Sequence, residues 1–391
     1  MKDIVIIDGA RTAIGTFDGS LKDFAVTDLG AIAIEEALKR AGVKKEAVEE
    51  VIMGCVGQVN DDAFMARRSA LKAGLPIEST AYTVNRLCSS GLQAIVNGTQ
   101  SLDTEDAQIV VAGGGESMNN LPYYLYKARF GLRMGDTNLV DGLVAALTDP
   151  FSGKHMGTTA ENIANQFHIS REDQDQFAYE SQTKAAKARD TGCFKDEIVP
   201  ITVKRKKEEF VFDTDEGIRD KTTLETLAKL RPAFVKDGSV TAGNASSIND
   251  GAAAVVMMTA EKAKELGLTP KLRVVAYAAA GVDPSIMGTG PIPAVKKVLA
   301  RAGLTKEDIG LYELNEAFAV QALCCIKELG LDPAKVNPHG GAIAMGHPIG
   351  ASGALLTVKM LYHMQQDNIR YGLETLCIGG GQGLAVIYEK I

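Results

Sequence analysis

The chain has 391 residues, 42 of them Lys or Arg and 49 Asp or Glu, for a formal charge of −7. At roughly 150 residues per domain this length predicts two to three domains and sets aside disordered and fibrous classes, while the acidic balance argues against a dedicated nucleic-acid binder. The six cysteines, at positions 55, 88, 193, 324, 325 and 377, lack the dense spacing of a secreted disulfide framework, and no basic n-region precedes the short apolar start, so a soluble cytoplasmic protein is expected.

In chain order, Ile4-Val5-Ile6-Ile7 is a continuous apolar run suited to a buried parallel strand. Ile34, Ala37, Leu38 and Ala41 then form one face of a helix ended by Gly42. Strands are predicted over Val51 to Met53 and Ile109 to Ala112, with a helix from Cys88 to about Ser101 between them. Residues 118 to 248 differ in character. They hold Tyr123-Tyr124-Leu125-Tyr126, an amphipathic helix opened by a capping box at Ser170 and Asp173, and the charge run Lys204 to Glu209. Beyond them come predicted strands at Leu272 to Tyr277, Leu311 to Leu314, Thr375 to Ile378 and Ala385 to Tyr388.

The chain repeats itself. An offset of 261 carries Ile34, Ala37, Leu38, Ala41 and Gly42 onto Val295, Val298, Leu299, Ala302 and Gly303, and Lys45-Glu46-Ala47-Val48 onto Lys306-Glu307-Asp308-Ile309. Ser90-Gly91 matches Ser352-Gly353 at offset 262, and Gly113-Gly114-Gly115 is matched to Gly379-Gly380-Gly381 at offset 266. Two α/β copies follow, with mixed or parallel sheets covered by helices: residues 1–117 plus 249–270, and residues 271–391, around an inserted domain at 118–248.

Cys88 stands where a helix begins, and the positive end of the helix dipole favours a thiolate there; as an isolated cysteine it also fits a buried packing role. His347 lies in the turn that the repeat places opposite the Cys88 turn, so two copies packed about a pseudo-dyad would bring the two together. Cys377 ends a strand before Gly379-Gly380-Gly381-Gln382-Gly383, where backbone N–H groups can meet an oxyanion. That glycine run has neither dinucleotide nor P-loop spacing. Asn315, closing another strand, can orient a water or cap a helix. A zinc site built from these cysteines with His347 and His339 lacks the usual close ligand pairs, so no metal is expected, and Cys55, Cys193, Cys324 and Cys325 read as packing residues.

At these residues the sequence resembles the thiolase family, and within it the short-chain acetyl-CoA acetyltransferase branch. The resemblance runs through Cys88-Ser89-Ser90-Gly91, His155-Met156-Gly157, Asn244-Ala245-Ser246, Asn315-Glu316-Ala317-Phe318, Gly346-His347-Pro348 and Cys377-Ile378-Gly379-Gly380-Gly381. It implies duplicated halves layered α-β-α-β-α with an inserted loop domain, and a reversible Claisen condensation of two acetyl-CoA to acetoacetyl-CoA and CoA. In that reaction Cys88 carries the acetyl group, His347 activates it, Cys377 moves the α-proton, Asn315 positions a water, and the N–H groups of Cys88 and Gly379 hold the acyl oxyanion. Coenzyme A is expected at Arg219, Ser246, His155, Met156, Phe234, Ala317 and Phe318, with no cofactor and a homotetrameric assembly. Lys204-Arg205-Lys206-Lys207 reads as a solvated face rather than a phosphate site. Ketoacyl synthases, which share the duplicated fold and a nucleophilic cysteine, lack the second catalytic cysteine; a silent CoA-binding scaffold is the other alternative.

Overall fold

The computed structural model describes residues 2–205 and 208–391. Among them one large mixed sheet is built from nine principal strands: β1 (Ile4–Thr12), β2 (Glu50–Gly54), β3 (Thr80–Val84), β4 (Ile109–Ser117), β5 (Asn249–Thr259), β6 (Leu272–Gly281), β7 (Leu311–Leu314), β8 (Tyr371–Ile378) and β9 (Gln382–Lys390). Their spatial order is β7-β8-β9-β6-β1-β5-β4-β2-β3. Every residue of β1 and β4 is buried, which is why these segments read as unbroken apolar or small-residue runs rather than alternating ones.

The order is symmetric about the β1–β6 contact. On one side β2 pairs parallel with β4, and β4, β5 and β1 follow antiparallel. On the other, β7 pairs parallel with β8, and β8, β9 and β6 follow antiparallel. The duplication reaches the irregularities: β1 bulges between Ile6 and Asp8 against β5, and β6 bulges between Val274 and Ala276 against β9. The helices before Gly42 and Gly303, α1 (Val26–Ala41) and its counterpart Pro291–Ala302, both end on a left-handed glycine, φ 66° and 67°, whose N–H returns to the last turn. β3 was not anticipated from the sequence, and its counterpart in the second half is a single parallel bridge between Tyr312 and Val336.

Register corrects one part of the repeat. Glu50 pairs with Val110 and Leu311 with Gly372, so offset 262 carries Gly113–Gly115 onto Thr375–Cys377, not onto Gly379–Gly381. The two glycine runs do different work. Gly113 and Gly114 lie inside β4, where an added Cβ would stand 2.2 Å from Ala253 O and 2.5 Å from Gly350 O, whereas Gly380 and Gly381, at φ +82° and +88°, make the turn from β8 to β9.

That turn also locates the insertion. In the second half three residues join two antiparallel neighbours; in the first, the equivalent β4-to-β5 connection is the whole of 118–248. The excursion contains α3 (Met156–Phe167), α4 (Arg171–Asp190), which carries the expected Ser170/Asp173 capping box, and the hairpin Ile201–Arg205/Glu208–Phe212. Lys204 on this hairpin is exposed and 3.6 Å from Glu209; Lys206 and Lys207 lie outside the described residues. The insertion is bolted to β1 by Arg11, fully buried, whose guanidinium meets Glu197 at 2.6 Å and Asp215 at 2.8 Å.

Two duplicated helices fill the centre: α2 (Ser90–Asp103) and α7 (Ser352–Gln366), the latter buried from Ser352 through Met364. A Cβ on Gly91 would lie 2.6 Å from Ala354 N, and one on Gly353 2.3 Å from Leu92 N. The Ser-Gly repeat is therefore a reciprocal close crossing of the two helix starts, the pseudo-dyad contact that brings the Cys88 and His347 turns face to face.

Candidate active site

β3 delivers the chain into a tight turn ahead of α2. Ser90 Oγ accepts from Arg86 N–H at 2.8 Å and donates to Leu87 O at 2.6 Å, while Asn85 Oδ1 accepts from Leu87 N–H at 3.0 Å. These bonds hold Leu87 at φ +46°, an unfavourable conformation for a branched residue, immediately before Cys88. Cys88 is half-buried at the helix start. Burial pushes its thiol up to about 11, N–H donors from Gly379 and from Cys88 itself pull back, and the Glu116 charge adds to the rise. The helix end alone predicted a depressed thiol; desolvation outweighs it.

His347 enters from the opposite turn. Gly346, at φ +117°, sits so close to Asn249 that a Cβ would lie 2.4 Å from its amide, and Asn249 Oδ1 accepts the His347 N–H at 2.9 Å. Ser352 Oγ donates its one proton to Pro348 O at 2.9 Å, so it receives one from His347 Nδ1, 2.6 Å away. Nε2 is left with its lone pair, facing Asn315 Nδ2 at 3.4 Å. Burial lowers the imidazole to about 4, so it is neutral at pH 7 and able to take a proton.

Cys377, near the end of β8, is fully buried among Met156, Ala317, Phe318 and Met287. Its thiol is held well above the ordinary value by burial, then by the charges of Cys88 and Cys325. Asn315 follows β7, anchored by its N–H to Thr375 O at 3.0 Å. The next residue, Glu316, is also buried: it accepts from Ser181 Oγ at 2.7 Å, Asn337 Nδ2 at 2.8 Å and Ile343 N–H at 3.2 Å, tying this loop to α4.

A cavity of about 690 Å³ is lined by Cys88, His347 and Gly379 together with all seven residues expected to hold coenzyme A, namely Arg219, Ser246, His155, Met156, Phe234, Ala317 and Phe318. Cys377 and Asn315 are buried beside it, Cys377 close enough to Cys88 for the two thiols to affect each other's ionisation. His155 caps α3, its Nδ1 accepting from Gly157 N–H at 3.0 Å, and stacks on Phe234 at 4.6 Å with the planes 16° apart. Phe234 meets Phe318 edge-on at 6.0 Å. Residues 244–246 run beside 317–319, with Ser246 N–H on Ala317 O at 3.0 Å, which joins the insertion's wall to the second half's wall. A glycine-backed thiol, a neutral imidazole and a partly cationic, largely apolar channel suit acyl transfer to and from a long thioester.

The thiolase N-terminal domain family matches residues 4–261 and the thiolase C-terminal domain family residues 268–390. This chain belongs to the thiolase family. Beta-ketothiolase BktB of Cupriavidus necator is 52% identical over 392 residues, all of both chains, and an acetyl-CoA acetyltransferase of Syntrophomonas wolfei is 53% identical over 395 residues, again all of both. Among solved structures, the acetyl-CoA acetyltransferase of Bacillus anthracis superposes with TM-score 0.98 at 46% identity, covering 100% of this chain and 99% of that one. Human mitochondrial 3-ketoacyl-CoA thiolase in complex with CoA does so with TM-score 0.97 at 44% identity over 100% and 98%. The layered, duplicated thiolase fold is thus shared at full length.

Sequence reasoning gave no site role to Leu87, Glu116 or Asn249 in this thiolase, and Ser352 entered only as half of the Ser-Gly repeat. Of the first three, Glu116 carried a legible signal, an acidic residue near the end of a strand otherwise of apolar residues, glycine and one serine.

Proposed function

We propose that this thiolase is an acetyl-CoA C-acetyltransferase, catalysing the reversible condensation of two acetyl-CoA into acetoacetyl-CoA and CoA. The observation that carries this reading is that Cys88, the neutral His347 ring and Gly379 line one cavity together with all seven residues expected to hold coenzyme A. His347 Nε2 takes the Cys88 proton, the thiolate attacks the acetyl carbonyl, and the carbon–sulfur bond to CoA breaks, with the proton passing to the departing sulfur. The N–H groups of Cys88 and Gly379 hold the oxyanion in between, each such donor being worth about 3 kcal/mol.

Acetylation takes Cys88 out of ionisation, so in the loaded enzyme Cys377, held well above its ordinary value chiefly by burial, is the one of the two thiols left to ionise. Cys377, as thiolate, then takes an α-proton from the second acetyl-CoA, the enolate attacks the acetyl group, and Cys88 leaves as thiolate, to which the proton now on Cys377 returns. His347, with a water positioned by Asn315, holds the enolate oxygen. In thiolysis the raised Cys377 thiol is suited to return the proton. Both thiols and the imidazole belong to the chain, so the steps draw on no cofactor or metal.

The seven cavity residues supply the coenzyme A site: the Arg219 cation for phosphate, the His155–Phe234–Phe318 stack for the flat and apolar parts. Two working thiols suit the reducing cytoplasm. The assembly is proposed to be a homotetramer, supported by the apolar patch on the insertion, where Phe130 is 88% and Met134 100% exposed. Light scattering on the purified chain tests the assembly. Steady-state thiolysis of acetoacetyl-CoA against longer 3-ketoacyl-CoAs tests the activity: a preference for acetoacetyl-CoA supports the short-chain reading, and a preference for the longer substrates overturns it.

A further inference from the structure

Pairing register and the 262 offset carry residues 110–117 onto 372–379 and Cys88 onto Gly350, while residues 50–54 map onto 311–315. The acyl site is thus built from one turn of the first half, at Cys88, and one strand end of the second, at Cys377 and Gly379. Its dyad mate is built from Gly350 and from Gly115 and Ser117, with Glu116 between them in the place of Ile378 and Cys55 in the place of Glu316. That mate is filled. Glu116 is 1% exposed, and its Oε2 accepts from Gly350 N–H at 2.8 Å, the donor equivalent to the Cys88 N–H. Oε2 also accepts from Val56 N–H at 2.9 Å, and Oε1 from Gly57 N–H at 2.9 Å and Cys55 Sγ at 3.7 Å. No side chain fits at Gly350, where a Cβ would stand 2.4 Å from the carboxylate.

We propose that Glu116 is a positioning residue for acyl transfer, its carboxylate occupying the duplicated counterpart of the acyl site and clamping the turn that carries His347 to the first half. The inference rests on the acetyl-Cys88 reading above. Gly350 lies three residues from His347 and two before Ser352, whose hydroxyl sets the ring tautomer. The clamp therefore fixes the segment that orients Nε2 from within, at a point between His347 and Ser352. Burial raises this carboxyl above its ordinary value, and the four donors, all N–H or S–H, oppose that rise because the anion is the form they satisfy. The charge has a second effect: it opposes the ionisation of Cys88, after burial. Cys377 and the neutral His347 are the other titratable groups at that thiol.

The test is Glu116→Gln and Glu116→Asp in the full chain, read by thiolysis of acetoacetyl-CoA and by the pH dependence of Cys88 alkylation with iodoacetamide, mapped by mass spectrometry. The amide loses the charge and presents N–H to N–H; the aspartate keeps the charge and loses the reach. Both should lower kcat on the order of 100-fold, the effect of a displaced catalytic group, with KM for CoA within about twofold of the wild type. Only Glu116→Gln should move the alkylation midpoint, and to lower pH. Wild-type kcat in both variants overturns the proposal, as does a loss of kcat matched by the KM change with an unmoved midpoint in Glu116→Gln. Should the amide variant fail to fold, the split between kcat and KM in Glu116→Asp decides. Absence of acetyl on Cys88 of the wild-type chain is a separate failure, that of the reaction assigned above.

Discussion

Cys88 and Cys377 carry the same functional group in different surroundings: Cys88 lines the cavity and Cys377 is fully buried. Cys88→Ser is expected to abolish acetyl labelling by acetyl-CoA, since a hydroxyl at this turn lacks thiolate nucleophilicity. Cys377→Ala is expected to keep the label while losing turnover by two to four powers of ten or so, as when an acid–base group is removed. Intact-mass and steady-state measurements on the two variants separate the roles. Acid sensitivity follows from the histidines. Burial holds both His347 and His339 at about 4, while an unfolded histidine titrates near 6.5. Between those values the unfolded chain binds protons that the folded chain refuses, so stability falls as pH drops from about 6.5 toward about 4. His339→Gln, away from the cavity, should flatten that slope in thermal melts, and an unchanged slope would refute the assignment.

Elements are placed here by the absence of side chains as much as by their presence. Gly91 and Gly353 allow the starts of α2 and α7 to cross at backbone distance, and Gly157 lets the Phe234 ring lie where a Cβ would be 2.2 Å from it. Gly353→Ala should destabilise the fold by about 1–3 kcal/mol in denaturant melts, the cost typical of overpacking. Gly157→Ala should leave stability closer to wild type and raise KM for CoA, by displacing the ring that stacks on His155. The repeat in the α1 face, the capping glycines and the Ser-Gly motifs were legible because each is local: a helix period, a left-handed cap, a fixed spacing. The glycine triplets misled for the opposite reason. Gly113–Gly115 and Gly379–Gly381 look alike in sequence, but one set admits neighbouring backbone to a strand and the other turns the chain, and only register tells them apart.

At the scale of the whole molecule, the insertion must be held rigidly against a scaffold that it leaves and rejoins between neighbouring strands. The buried Arg11–Glu197–Asp215 cluster is one such tie, at β1. Arg11→Met should cost about 3–5 kcal/mol, because two carboxylates would be left buried without their cation. Denaturant unfolding measures the loss, and restoration by Arg11→Met combined with Glu197→Gln and Asp215→Asn would identify its electrostatic origin.

By itself the sequence determined the duplication and the residue types that could react, because periodicity, capping and motif spacing act over short stretches of chain. The tertiary structure alone decided how those residues behave. Desolvation raises Cys88 against the pull of its helix end, the Ser352 hydroxyl selects the His347 tautomer, and Glu116 reaches from one half to the turn of the other. Each depends on groups far apart in sequence meeting in a medium without water, where the strength of a charge or a hydrogen bond is set by what surrounds it.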